Sequence, residues 1–318
     1  MSIYTGRQIN FGIWIEATRG ETATNQYWIP KTNMDFDDKI ETKEITSSLG
    51  DKLDVSNIEL TKQWGEGNIE TEASAKALWF FFLTSLWNVQ SAAEGSLYKH
   101  TFKIKNDGPN PSATIFIEEP NGQFSYPLAL ISDFTLNAAV GDPVTATASF
   151  KSKKAVSRTD LTPTYIADEL FNTKNATIKF AENVSDLPTA ELTCIESVEL
   201  NIQKENIEQF CLNYGNEPKD IIDGPISITG SVVATFEADS FYKNYALDGK
   251  EFAFEMELLN NDETQSLKIT TPKAKFTEYS RDKWNDDIVK VNLNFKVFKN
   301  SSLDAITVEL VNDLPAYN

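Results

Sequence analysis

The chain has 318 residues, 41% of them hydrophobic and 11% aromatic, which suffices for two ordinary domains or one large β domain and argues against wholesale disorder. A formal charge of −18 argues against phosphate-backbone binding by clustered Lys and Arg, and it keeps a β-rich protein dispersed. Cys194, Cys211 and His100 are the only residues of their types, too few for a disulfide framework or a nitrogen-and-sulfur metal site, and two lone thiols suit a reducing cytoplasm.

Residues 1–10 read as a short polar arm without the apolar core of an export signal, and no window approaches the length of a membrane span. Phe11–Glu16 reads as a strand and Arg19–Asn25 as a turn. Tyr27–Ile29 and Met34–Phe36 begin a second strand that continues through Asp38, Ile40 and Lys43. Thr46–Asp54 is a polar loop, and Val55–Trp64 leads into Gly67–Trp87. There a strand end at Asn68–Thr71 runs into apolar residues with helical spacing. Ala75, Trp79, Phe82, Leu83 and Leu86 form one stripe, widened by Phe80, Phe81 and Trp87. Period-two strands follow at His100–Ile104, Ala113–Ile117, Leu128–Leu136 and Val144–Phe150, with reversals at Asp107–Pro111 and Glu119–Gln123.

Lys151–Pro163 is charged, polar and aperiodic, and it reads as a linker. The pattern then restarts. Ala176–Phe180 corresponds to Phe11–Glu16, and Cys194–Ile202 matches Trp28–Phe36 at an offset of 166. Tyr214–Pro225 takes the place of Thr46–Asp54. Gly230–Leu247 again reads glycine, strand, acidic residue and short aromatic helix, with Asp239 as its N-cap and Gly249 as its stop. Gly67 and Gly230 lie 163 residues apart, and so do Phe82 and Tyr245. Alternating strands at Phe252–Leu258, Leu267–Ile269, Ala274–Phe276, Val289–Val297 and Ile306–Leu310 close the chain.

The expectation is a mainly β, α+β protein of two tandem units: 1–155 with an N-terminal arm, a linker at 156–174, and 175–318 with a C-terminal arm. In each unit one helix covers a sheet face, packing through Trp79, Phe82 and Leu83 in the first and Tyr242 and Tyr245 in the second.

Chemistry is sparse. His100 begins an alternating strand and no nucleophile elbow supports a triad, so it reads as a core histidine. Asp35, Asp37 and Asp38, or Asp282, Asp286 and Asp287, are conceivable oxygen ligands that follow no calcium-loop pattern and read as solvated turns. Gly65-Glu66-Gly67 lacks the third glycine and the Lys of a phosphate loop. Of paired carboxylates such as Glu70 and Glu72 or Glu118 and Glu119, only Glu70 and Glu72 share a strand face as acid and base work on a sugar needs, but a chain with 47 acidic residues produces such pairs by chance. No catalytic, cofactor or metal residue is assigned.

Four blocks carry a resemblance: IYTGRQINFGIWIEATRGETAT at the N-terminus, LYKHTFKI at Leu97–Ile104, DIIDGPISITGSVVATFEADSFYKNY in the second half, and ITVELVNDLPAY at Ile306–Tyr317. Together they resemble tail tube (major tail) proteins of long-tailed bacteriophages. The resemblance implies a β-sandwich-like or barrel-like domain with a flanking helix, and a virion protein made in the host cytoplasm whose rings stack into a conduit for the genome. Ring-stacking residues would lie in the two equivalent polar loops, at Ser47, Leu49 and Asp51 and at Tyr214, Asn216 and Lys219, or in the terminal arms. The implied partners are other copies of the chain, the tape measure protein, tail completion proteins, and double-stranded DNA passing without specific binding. Two repeats per chain would make three chains a pseudo-six-fold ring, with a six-chain ring as the alternative. A β-sandwich adhesin or carbohydrate-binding module, a tail terminator or baseplate ring, and a hydrolase using Glu70 and Glu72 remain rival readings.

Overall fold

Alternating apolar and polar residues put most of the chain into antiparallel strands, which the computed structural model describes over residues 4–47, 49–50, 52–108, 110–236, 241–283, 288–299 and 303–315. The first half contains β1 (Asn10–Ile15), β2 (Tyr27–Ile29), β3 (Asn33–Met34), β4 (Asp37–Ile45), β5 (Asn57–Glu72), helix α1 (Ala75–Leu86), β6 (Trp87–Glu94), β7 (Leu97–Ile104), β8 (Ala113–Glu119), β9 (Gly122–Ala139), β10 (Thr145–Ser152) and β11 (Val156–Arg158). The second contains β12 (Phe171–Ala181), β13 (Ile195–Phe210), β14 (Pro218–Thr235), helix α2 (Phe241–Asp248), β15 (Phe252–Asn260), β16 (Ser266–Asp282), β17 (Lys290–Val297) and β18 (Thr307–Asn312). The protein is mainly β with a few helices, as its patterning predicts.

The order of pairing is the same in both halves. In the first it runs β1–β8–β9–β10–β5–β4, and in the second β12–β15–β16–β17–β14–β13. Register agrees as well. Gly67 faces Phe150 and Gly230 faces Phe295. The strand beside each phenylalanine carries a bulge at the same place, leaving Ser132 and Thr277 unpaired. Each bulged hydroxyl donates to a carbonyl of the neighbouring strand, Ser132 Oγ to Ser149 O at 3.3 Å and Thr277 Oγ1 to Asn294 O at 3.2 Å. Earlier on the same strands a second bulge falls at Pro127–Leu128 and at Pro272–Lys273.

Met34 faces Ile69 and Val198 faces Val232, so the first strands of the two long hairpins correspond at an offset of 164. The sequence match at 166 is off by two residues, a slip that keeps every side chain on its face and is therefore invisible to apolar patterning. The halves join where β9 pairs with β13, from Ala139 opposite Ser197 to Asp133 opposite Gln203. A continuous sheet, β4–β5–β10–β9–β13–β14–β17–β16, results.

α1 departs from the expected one-sided stripe, for all 12 of its residues are buried. A hairpin of β6 and β7, without a counterpart in the second half, closes over its outer side together with β18, which pairs with both β7 and β16. The helix starts under Asp168, whose carboxylate accepts the Lys76 amide at 3.0 Å. It ends at Trp87, which takes the left-handed conformation (φ 73°) and starts β6 instead of widening the helical stripe.

α2 is shorter, 8 residues, and among its described side chains only Tyr242 is buried. Gly249 follows it at φ +61°, the expected stop, whereas the expected N-cap Asp239 lies outside the described residues. Two further expectations change. The segment read as a linker continues β10, forms β11 against β9 and buries Leu161 beside Trp28 and Phe116. At the C-terminus the strand expected at Ile306–Leu310 is present as β18, which alternates into the core at Val308 and Leu310, so Thr307–Asn312 is not available as a free arm.

Candidate assembly surfaces

The joined sheet has two unlike faces. Strand alternation sends Ile69, Phe150, Phe134, Leu200, Val232 and Phe295 inward to the core. The opposite face is mostly polar, with Trp64, Ala139 and Val233 among its members. Thr145, Thr147, Asn137, Thr135, Glu199, Asn201, Thr229, Ser231, Asn292 and Asn294 sit there in register with Glu70 and Glu72. From β5 to β16 carboxylates at Glu66, Glu70, Glu72, Asp133, Glu199, Glu278 and Asp282 outnumber the lysines at Lys62, Lys151, Lys275, Lys290 and Lys296. Partial burial raises the Asp133 pKa, opposed by hydrogen bonds from Asn201 at 2.9 Å and Thr135 at 3.3 Å.

Two long hairpins, β4–β5 at the edge and β13–β14 in the middle, run out beyond their neighbours in this sheet. Their outer reaches carry apolar side chains without cover: Ile40, Ile58 and Leu60 on the first, Ile207 and Ile222 on the second. At the tips Leu49 is 73% exposed, Leu53 77%, and Leu212 fully exposed. A β strand rises about 3.3 Å per residue, so β5, 16 residues long, extends roughly 50 Å. The two hairpins meet inside the chain. Gln63 donates its amide to Asn216 O at 2.7 Å, Lys62 lies 5.3 Å from the Phe210 ring, and Lys154 pairs with Glu217 at 2.9 Å.

These contacts place the loop residues singled out in the sequence. Ser47 and Leu49 are exposed in the first tip, and Asp51 lies outside the described residues. Tyr214 is exposed in the second tip, with the Lys219 ammonium 5.4 Å from its ring. Asn216 is engaged by Gln63 within the chain. Lys219 belongs to β14, since the predicted loop Tyr214–Pro225 is strand from Pro218 onward. The helix residues fall deeper. Trp79, Phe82 and Leu83 are buried, Phe82 packing edge-on to Phe134 at 5.1 Å. Tyr242 meets the Phe180 ring at 5.6 Å and hydrogen-bonds Thr193, while Tyr245 is half-buried.

Where the halves meet, a polar cluster escaped sequence reasoning because its members are scattered over 204 positions, from Arg19 to Asp223. Lys204 is buried on β13. Its ammonium pairs with the buried Asp223 carboxylate at 2.8 Å, donates to Thr84 O at the end of α1 at 2.7 Å, and sits 4.7 Å from the Trp87 ring. Burial pulls its pKa down to about 8, with the Asp223 carboxylate opposing that shift. Arg19 adds hydrogen bonds to Asp220 at 3.0 Å, to Ile221 O at 2.5 Å and to Asn110 O at 2.6 Å. Asn110 in turn donates to Asp223. A loop from the first half is thus fastened to a hairpin of the second by charge-assisted bonds at a partly exposed Arg19–Asp220 pair, beside the dry Lys204–Asp223 pair.

The acidic turns considered for metals have other occupations. Asp35 accepts the Asn68 amide at 2.5 Å, Asp37 the Asp38 amide at 2.7 Å and Asp38 the Ala155 amide at 2.9 Å. Asp286 and Asp287 lie outside the described residues. Among the described residues no group of three or more His, Cys, Asp or Glu is placed to hold a metal ion.

Residues 6–297 match the model of a family described as phage tail tube protein. A solved structure of the SPP1 tail tube, obtained by solid-state NMR and cryo-electron microscopy, is 13% identical over 45% of this chain and 80% of that chain, with a TM-score of 0.31. No curated protein matches.

Proposed function

The chain belongs to the phage tail tube protein family. It is therefore a structural component of the virion tail, and its copies assemble into stacked rings that form a tube. From that premise we propose how its surfaces are used. Each half acts as one tube-domain unit, and three chains make a pseudo-six-fold ring. The continuous polar sheet face lines the channel, and the hairpins β4–β5 and β13–β14 grip the adjacent ring. Assembly takes place in the host cytoplasm around the tape measure protein, completion proteins close the tail, and double-stranded DNA later passes through the channel.

One observation carries this reading: the continuous sheet buries one face beneath the helices and leaves the other mostly polar, with carboxylates in excess of lysines from β5 to β16. A wall of carboxylates repels the phosphate backbone at short range, with a screening length of about 8 Å at physiological salt, so the duplex moves without adhering. The hairpins suit stacking for a different reason. Their Leu49, Leu53 and Leu212 are largely exposed, and burying apolar surface between rings stabilises a stack by about 25 cal/mol per Å².

The test is a concentration series of the purified protein under the electron microscope, alongside a Leu53→Asp/Leu212→Asp variant. The parent forms hollow tubes. The variant remains folded by circular dichroism and yields single rings or unassembled chains. Tubes from the variant that are indistinguishable from the parent's would remove the hairpin tips from the stacking interface.

A further inference from the structure

The seam between the halves is a template for the seam between chains. Within the chain, Asp133–Asn137 of β9 is flanked by β10 on one side and by β13 on the other. The corresponding stretch of β16 is found 145 residues later, by the matched bulges at Ser132 and Thr277. There Glu278–Asp282 pairs with β17 alone, and among the described residues its second edge has no strand beside it. The complementary edge is also open. β13 uses both its edges, pairing with β14 and β9, whereas β3 and β4 pair only with β5. One chain therefore carries two unlike, unpaired edges that the internal seam shows to be mutually complementary.

We propose that β16 of one copy pairs antiparallel with β3–β4 of the next, in the register of the internal seam. Moving Asp133 opposite Gln203 by the two offsets puts Glu278 opposite Lys39. The same operation sets Tyr279 opposite Asp38, Ser280 opposite Asp37 and Arg281 opposite Phe36. Two charge pairs agree with this register. Glu278 and Lys39 are exposed, of opposite sign and directly across the seam, and Arg281 is diagonal to Asp38. Next along, Asp282 meets Asp35, and each already accepts an amide donor, from Asn292 at 2.9 Å and Asn68 at 2.5 Å. Beyond Asn33 the open edge continues into a groove of about 1030 Å³ between the N-terminal turn, Pro30–Met34 and Tyr165. It occupies the position at which the internal seam extends past its last pair, through the Val140 amide and Glu196 O at 2.9 Å. Two unlike edges make a head-to-tail contact, which closes into a ring when the rotation permits.

This inference rests on the ring reading above, and disulfide trapping separates the two. Antiparallel partners have Cα atoms about 4.5–5.5 Å apart, within disulfide range. Lys39→Cys/Glu278→Cys is prepared with Cys194 and Cys211 replaced by serine, assembled under reducing conditions, imaged and then oxidised. A denaturing gel should shift from monomer to a covalent ladder ending at three chains. The register control Lys39→Cys/Asp282→Cys gives no ladder, and Asp133→Cys/Gln203→Cys cross-links within a single chain. Rings in the micrographs with no 39–278 cross-link overturn the seam and leave the tube reading standing. Absence of rings together with absence of cross-links overturns both. Lys39→Glu provides a second arm: it abolishes rings, and adding Glu278→Lys restores them.

Discussion

Gly230 lies directly across the sheet from Phe295, and a Cβ on the glycine would come 2.2 Å from the ring's Cζ. The close approach explains why a glycine occupies the middle of a strand, where it is otherwise unfavourable. Phe295 is buried and its ring has little room to turn. Gly230→Ala should cost about 1–3 kcal/mol by overpacking, read from urea unfolding, and Phe295→Leu in the same chain should return part of it. Gly67 is constrained more severely. Its φ is +156°, and an added Cβ would lie 2.4 Å from the Phe36 Cα, so Gly67→Ala should cost more and no side-chain truncation should rescue it. Equal costs at both positions would contradict this account of the two strands.

The Lys204–Asp223 pair makes a separate stability prediction. Lys204→Met leaves the Asp223 carboxylate buried without its partner, and the expected loss is about 3–5 kcal/mol. Lys204→Met/Asp223→Leu removes both charges and should recover most of it. A double variant as unstable as the single one would mean that losing the cation's bond to Thr84 O, which crosses between the halves, and not stranding the Asp223 charge, carries the cost.

His100 sets a pH dependence. Its Nδ1 meets Ser91 Oγ at 2.7 Å, and its Nε2 reaches Leu314 O at 3.1 Å, so the neutral ring with Nε2–H fits both partners. Burial depresses its pKa below the ordinary value of 6.5, opposed by the bonds to Asn312 and Leu314. The unfolded chain then binds the proton more readily than the folded one. Stability should fall as pH drops below the unfolded value of 6.5 and level off once the folded ring is protonated. His100→Gln should be less stable at neutral pH and should lack this acid-side component, measured as urea midpoints across that window.

The polar sheet face predicts a change in DNA retention without a change in assembly. Glu70→Lys/Glu199→Lys exchanges two carboxylates for ammonium groups on an exposed face, away from the core. Tubes should form as before but retain duplex DNA on sedimentation, with retention fading as salt rises. Tubes that bind no more DNA than the parent's would place this face away from the channel.

Elements whose signal is local were legible in the sequence. The strands of β7 to β10, α1, and the stop at Gly249 follow from period and turn residues. The glycine offset of 163 is reproduced by the register of Gly67 and Gly230 against their phenylalanines. What was missed depends on partners distant in sequence. Trp87–Glu94 has no helical stop before it, and only the left-handed Trp87 turns the chain into a strand. Val156–Arg158 looks like linker until β9 receives it, and the closing strand, legible from its alternation, gives no sign in sequence that β16 and β7 flank it. The two-residue slip in matching Trp28–Phe36 preserves apolar parity and shows only in hydrogen-bond register. The Lys204 cluster has no sequence motif at all.

Cryo-electron microscopy of tubes assembled from the purified chain tests the central claim most directly. The account predicts rings with three chains and six sheet units, in which β16 of each chain lies beside β3–β4 of the next and the Glu70–Glu199 face lines the channel. Rings of six chains with only one half of each around the channel would contradict it.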